Sequence, residues 1–73
     1  MPLKPLPFRE VKRKLQKAGF IIISQKGSHV KFCKETLAGR LTAIVPNHSE
    51  VTIGTLASIL KQAGLTIKEF DSL

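Results

Sequence analysis

Apolar residues recur near the start of the chain at Phe8, Val11, Leu15 and Ala18. At helical spacing they fall within an arc of about 80°, the buried stripe of an amphipathic helix. Arg9, Lys12, Arg13, Lys14 and Lys17 fill the rest of the circumference. Pro2, Pro5 and Pro7 before the stripe predict an extended lead-in, with Pro7 suited to the first helical turn, and Gly19 is a natural stop. Phe20 to Gln25 then carries Ile21, Ile22 and Ile23 in a run too short for a second helix, which predicts a strand. Lys26-Gly27 suits a tight turn. From His29 to Lys34 the pattern alternates, with Val30 and Phe32 on one face and His29, Lys31 and Cys33 on the other. The expected register sets Ser24 opposite His29, Ile23 opposite Val30 and Ile21 opposite Phe32. Four apolar residues then share the core face, and Ser24, Ile22, His29 and Lys31 share the opposite one.

A second turn around Ala38-Gly39 leads to a third strand over Arg40 to Val45, ended by Pro46. The stripe Ile53, Leu56, Ile59, Leu60 and Ala63 marks a second helix, with Thr52 as N-cap and Gly64 as C-terminal stop. Thr66 and Glu69 have the spacing of a capping box, which predicts a short last turn carrying Ile67 and Phe70. Residues 1–73 therefore read as a single α+β domain of order α-β-β-β-α. Three strands in succession favour an antiparallel sheet with both helices on one face. Double-stranded RNA-binding domains share this plan, but a fold by itself does not assign a function.

Length and composition narrow the classes open to such a domain. A chain of 73 residues buries only about 60% of its unfolded surface, so its core is thin. Its single cysteine, Cys33, cannot form an internal bridge, and Cys33 with His29 and His48 falls short of a four-ligand zinc site. Neither a metal nor another cofactor is expected. No apolar run reaches membrane-spanning length and the N-terminus lacks a signal-peptide stretch, so the expected location is the cytoplasm, without membrane association. Twelve Lys and Arg stand against five Asp and Glu, and ten of the twelve lie in residues 1–40 with only Glu10 and Glu35 as acids. Basic charge concentrated in one half of a chain suits a polyanion such as RNA. Tyr and Trp are absent and there are only four Phe, so phosphate contact is favoured over base stacking. The candidate RNA-binding residues are Lys12 and Arg13 on the first helix, with Lys26, Ser28, Lys31, Lys34 and Arg40 on the hairpins. A solvated helix face is the plain alternative for the helical arc.

His29 is the sharpest chemical candidate, because imidazole gives and takes protons near neutral pH. RNA carries its own nucleophile, the 2′-hydroxyl. Cleavage then needs a base for that proton, cations to steady the phosphorane, and an acid for the departing 5′-oxygen. On spacing alone, the plainer reading of His29 is an ordinary exposed histidine after a hairpin turn. His48 is a second possible acid–base group, or else a loop histidine ahead of a helix. Ile22, placed by the expected register beside His29 and Lys31, is a large apolar side chain on an open face. Together with Lys31 it makes a candidate patch for an acidic partner protein.

The segment Gln25-Lys26-Gly27-Ser28-His29-Val30-Lys31-Phe32 resembles the signature of the HicA toxin family. Val45-Pro46-Asn47-His48, Gly54-Thr55-Leu56, Ile59-Leu60-Lys61-Gln62-Ala63-Gly64 and Glu69-Phe70 extend the resemblance, as does Ala18-Gly19-Phe20. The matches run from about residue 8 to residue 71. The resemblance implies a double-stranded RNA-binding-like fold and a metal-independent endoribonuclease that cuts messenger RNA and stops translation. It also implies that His29 is catalytic and that a cognate HicB-type antitoxin neutralises the enzyme. Two other readings accompany it: a non-catalytic RNA-binding module, and a degenerate toxin that retains only partner binding.

Overall fold

The computed structural model describes residues 3–73; Pro2 of the expected lead-in lies outside the described residues. Helix α1 (Phe8–Lys17) is followed by strands β1 (Ile21–Lys26), β2 (His29–Thr36) and β3 (Gly39–Pro46). Helix α2 (Ile53–Ala63) and the short helix α3 (Ile67–Asp71) complete the order. The strands form one antiparallel sheet in the order β1-β2-β3. The helices pack on one face of it, as the α+β double-stranded RNA-binding-like plan requires.

Local chemistry sets the helix limits. Pro7 is the N-cap of α1 rather than a residue of its first turn, and Ala18 is its C-cap. Val11 and Leu15 are the buried positions of the stripe. The Thr52 side chain accepts the backbone N–H of Thr55, and Gly64 ends α2 in the left-handed conformation (φ 68°). A side chain is disfavoured at that φ, so glycine is the natural residue there. The Thr66–Glu69 capping box forms in both directions and starts α3.

The core is assembled from every element except β1. Val11 and Leu15 of α1, Val30 and Phe32 of β2, Ala43 and Val45 of β3, Leu56, Ile59, Leu60 and Ala63 of α2, and Phe70 of α3 are buried together, joined by Phe20 and Val51. All six residues of β1 are exposed. This overturns the expectation that Ile21 and Ile23 pack in the core. Phe20, immediately before β1 rather than within it, supplies the buried side chain there.

The first hairpin also differs in register. Its turn is Gly27-Ser28, one residue later than expected, so Lys26 pairs with His29, Gln25 with Val30, and Ser24 with Lys31. Gly27 has φ 59° whereas Ser28 has no positive φ. A glycine with positive φ at the first of two turn positions matches the type II′ hairpin, which accounts for the shift. An irregularity between Ile22 and Ser24 then leaves Ile23 as an extra residue, and Ile22 pairs with Phe32 while Ile21 pairs with Cys33. Ile22 therefore shares the helix side of the sheet with Phe32, correcting its expected place beside His29. The isoleucine on the open face is Ile21.

The second hairpin carries its pairing without a break from His29↔Pro46 to Thr36↔Gly39. Val30 faces Val45 and Phe32 faces Ala43 on the helix side; Lys31 faces Ile44 and Cys33 faces Thr42 on the open side. Among the described residues no helix is long and apolar enough to cross a membrane.

Candidate active site at the first hairpin

The open face of the sheet gathers the chemistry at one end. Residues directly opposite in an antiparallel pair point to the same side, so Lys26, His29 and Pro46 form one row across the three strands. Ser24, Lys31 and Ile44 form the next. His29 is exposed, and no hydrogen bond to its ring is found among the described residues, so both ring nitrogens are open to a ligand. Neither Lys26 nor Lys31 makes an ion pair with any described carboxylate. The histidine thus stands at the tip of a hairpin with two uncommitted ammonium groups on the same face.

Backbone bonds fix the turn from outside the hairpin. The Asn47 amide donates to the Ser28 carbonyl, tying the loop after β3 to the turn before β2. The next residue, His48, accepts at its carbonyl the amide of Phe8, the first residue of α1, at 3.0 Å. The Phe8 ring in turn lies 6.3 Å from that of Phe32, centroid to centroid. His48 and the start of α1 are therefore fastened to the His29 end of the domain. Asn47 gave no sequence signal in this role, because it acts through its main chain. Ile44 was also missed as a neighbour of Lys31, although its parity in β3, opposite to that of Ala43 and Val45, would have revealed it.

The remaining expected RNA-binding residues are dispersed. Arg40 pairs with Glu35 at 2.7 Å beside the other turn of the sheet. It lies six strand positions from the His29 row, or roughly 20 Å along the strand. The Glu35 hydrogen bond is the main reason its guanidinium is held more firmly protonated than usual. Lys34 lies on the helix side, its ammonium 5.9 Å from the centre of the Phe20 ring. Arg13 is bound to Glu10 at 2.8 Å, one turn earlier on α1, and that contact is the main cause of the lowered Glu10 pKa. Lys12 makes no ion pair among the described residues, but it belongs to the helical layer rather than to the open face. Lys14 is committed to structure: its ammonium donates to the Phe70 and Leu73 carbonyls at 3.1 and 3.2 Å and lies 5.1 Å from the centre of the Phe70 ring. The structure thus brings together Lys26, Ser28, His29 and Lys31, and separates them from Lys34 and Arg40.

No group of three His, Cys, Asp or Glu able to hold a metal occurs among the described residues. A cavity of about 380 Å³ lies on the helix side between the lead-in and α3, lined by Leu3, Leu6, Glu10, Lys14 and Phe70 among others. No residue of the His29 row lines it, and His29 itself is exposed.

A sheet covered on one side by helices, with its other side bare and basic at one end, defines a small α+β domain of the double-stranded RNA-binding-like class. Within that class the chain belongs to the HicA toxin family: the family model "HicA toxin of bacterial toxin-antitoxin" matches residues 8–65, most of the chain. No curated protein matches it. Family membership makes the chain a toxin of a toxin–antitoxin system, with an antitoxin as its counterpart.

Proposed function

We propose that this toxin is an endoribonuclease acting on messenger RNA, with His29 as the general base and no requirement for a metal. The observation that carries the reading is the open-face row in which exposed His29 stands beside unpaired Lys26, with Lys31 in the next row. His29 takes the proton of an RNA 2′-hydroxyl, and the freed oxygen attacks the adjacent phosphorus. The bond to the 5′-oxygen breaks, and that oxygen is protonated by an acid for which His48, a lysine and water are the candidates. The products are a 2′,3′-cyclic phosphate and a 5′-hydroxyl. Lys26 and Lys31 meet the charge gathered on the phosphoryl oxygens, an electrostatic contribution that needs no reorganisation at the moment of reaction. Ser28 is proposed to guide the RNA strand, while Lys12 on the helical layer and Arg13, Lys34 and Arg40, being engaged or remote, contribute less. A HicB-type antitoxin silences the enzyme by covering Lys31 and the His29 row on the open face; the Ile22 side chain, on the helix side of the sheet, stands outside that contact.

The test is incubation of a long RNA with the wild-type chain and with His29→Ala in the presence of EDTA. Wild-type cutting to cyclic-phosphate ends, and its loss in the variant, is the expected result. Equal cutting by both proteins would remove His29 from the reaction. Salt-sensitive binding without cleavage would instead identify a non-catalytic RNA-binding module, and antitoxin binding alone a degenerate toxin.

A further inference from the structure

The open sheet has two edges, and the chain treats them differently. The β3 edge is blunted. The outward amide of Ile44 donates to the Gln62 side chain of α2 at 3.1 Å, and that side chain also donates to Ser58 at 3.3 Å. Pro46, at the end of β3, has no N–H to offer. Among the described residues, no side chain caps the β1 edge in this way. All of its residues are exposed, and Ile21, Ile22 and Ile23 retain 63%, 38% and 45% of their surface.

The pairing tells which β1 groups are free. Because the Ile44 amide points away from β2, the Lys31–Ile44 pair is of the non-hydrogen-bonded kind, and Lys31 turns its main-chain groups towards Ser24 of β1. By alternation, the main-chain N–H and C=O of Gln25 and Ile22 point outward, away from the sheet. A strand edge with free amides and adjoining isoleucines is a template for another strand, and proteins commonly protect such edges.

We infer that the outer edge of β1 is a docking site for an extended acidic segment of the antitoxin, which adds to the sheet as a fourth strand. The inference rests on the toxin reading above for the identity of the partner. Charge complementarity selects the occupant. Lys26 closes β1, Lys31 lies one strand inward, and neither forms an ion pair with a carboxylate among the described residues. A second copy of this chain is a poor occupant, since each carries a formal net charge of +7. A strand added at β1 lies about 5 Å from β1 and about 10 Å from β2, where His29 begins. Acidic side chains on that strand therefore reach across Lys26 and screen the His29 row from RNA, which couples docking to silencing.

The probe is an acetylated and amidated heptapeptide, Glu-Val-Glu-Ile-Glu-Val-Glu, titrated into the isotope-labelled full chain and followed by amide shifts and hydrogen exchange. Saturable changes concentrated in residues 21–26 are expected, with exchange at Gln25 and Ile22 slowed at least about tenfold near saturation. A peptide N-methylated on alternate residues is expected to bind at least about tenfold more weakly, and so is a Lys-for-Glu peptide. Gln25→Pro removes the outward N–H, together with the hydrogen bond that the Gln25 side chain donates to the Gly27 carbonyl at 3.1 Å, and is expected to abolish binding with the spectrum away from the turn retained. Absence of binding at millimolar peptide overturns the inference, as do changes centred on β3 or the helices. Equal binding of the N-methylated or lysine peptide overturns backbone pairing or charge selection, respectively. If Gln25→Pro does not fold, the two control peptides on the wild-type chain still decide. Sedimentation of the free chain is expected to show a monomer; a dimer broken by Gln25→Pro would make a second copy the occupant. RNA cleavage with unimpaired wild-type activity but no docking rejects this inference alone, whereas docking without cleavage rejects the ribonuclease reading alone.

Discussion

Strands β1 and β3 have similar apolar content and opposite fates. β3 places Ala43 and Val45 in the core beneath α2, whereas β1, with three consecutive isoleucines, buries nothing. The difference comes from where the helices reach. The core forms over β2 and β3, and β1 extends the sheet beyond it. Packing is therefore uneven across the sheet: β2 and β3 hold the domain together on the helix side, while β1 and the turn before His29 contribute little to the core.

The sharpest way to break this contrast is to truncate each side. Phe32→Ala, in the buried core, is expected to cost about 3–5 kcal/mol. For a chain of this size that is comparable to the whole stability of roughly 4–11 kcal/mol. Ile23→Ala is expected to cost less than about 1 kcal/mol, and urea denaturation of both variants checks the pair. If the two costs are alike, the division is wrong. Next, His29→Ala is expected to lower RNA cleavage by about 10²–10⁴-fold while leaving the urea midpoint where it was. A fallen midpoint would instead mark His29 as a structural residue.

A smaller effect separates the two ends of the open face. Removing Lys26 or Lys31 is expected to weaken RNA binding several-fold and to reduce the slope of log affinity against log salt by about 0.7 on single strands. Arg40→Ala, whose charge is already engaged by Glu35, is expected to leave that slope nearly unchanged. Equal changes from all three would mean that RNA runs the full length of the sheet.

The smallest effect concerns acid. The Glu69 carboxyl is held below its ordinary range chiefly by the hydrogen bond it accepts from the Thr66 amide. A carboxyl whose pKa is lower in the folded state stabilises above its ordinary value, and the benefit disappears as pH falls through the folded value. Melting temperature followed downward from about pH 4.5 should therefore fall slightly more steeply for wild type than for Glu69→Gln. Parallel curves would show that the capping box has no acid-sensitive part in stability.

Much of the fold was legible because its signals are local. Thr52 and Gly64 mark the limits of α2, the Thr66–Glu69 spacing announces α3, and the alternation of β2 assigns Val30 and Phe32 to the core. The β1 register was not legible, because three isoleucines look alike as core and as edge, and nothing in Ile22-Ile23-Ser24 signals an extra residue. The site was legible in part. His29, Lys26, Ser28 and Lys31 are adjacent in sequence and remain so on the hairpin. The fates of Arg13 and Arg40 depended on carboxylates that long side chains happen to reach. That of Lys34 depended on its parity in β2 and on the buried ring of Phe20.

The fastening of the turn has a consequence for timing during synthesis. The hairpin carrying His29 is built from neighbours in sequence, and pairings of that kind form early and cheaply. The bonds that steady it come from Asn47 and His48, and Leu6 and Val51 exchange a mutual pair of amide bonds that draws the two halves of the chain together. A nascent chain lacking its second half thus has a histidine hairpin without its anchorage. If His29 acts as proposed, its hairpin gains this anchorage only once residues 47–51 have joined the growing chain.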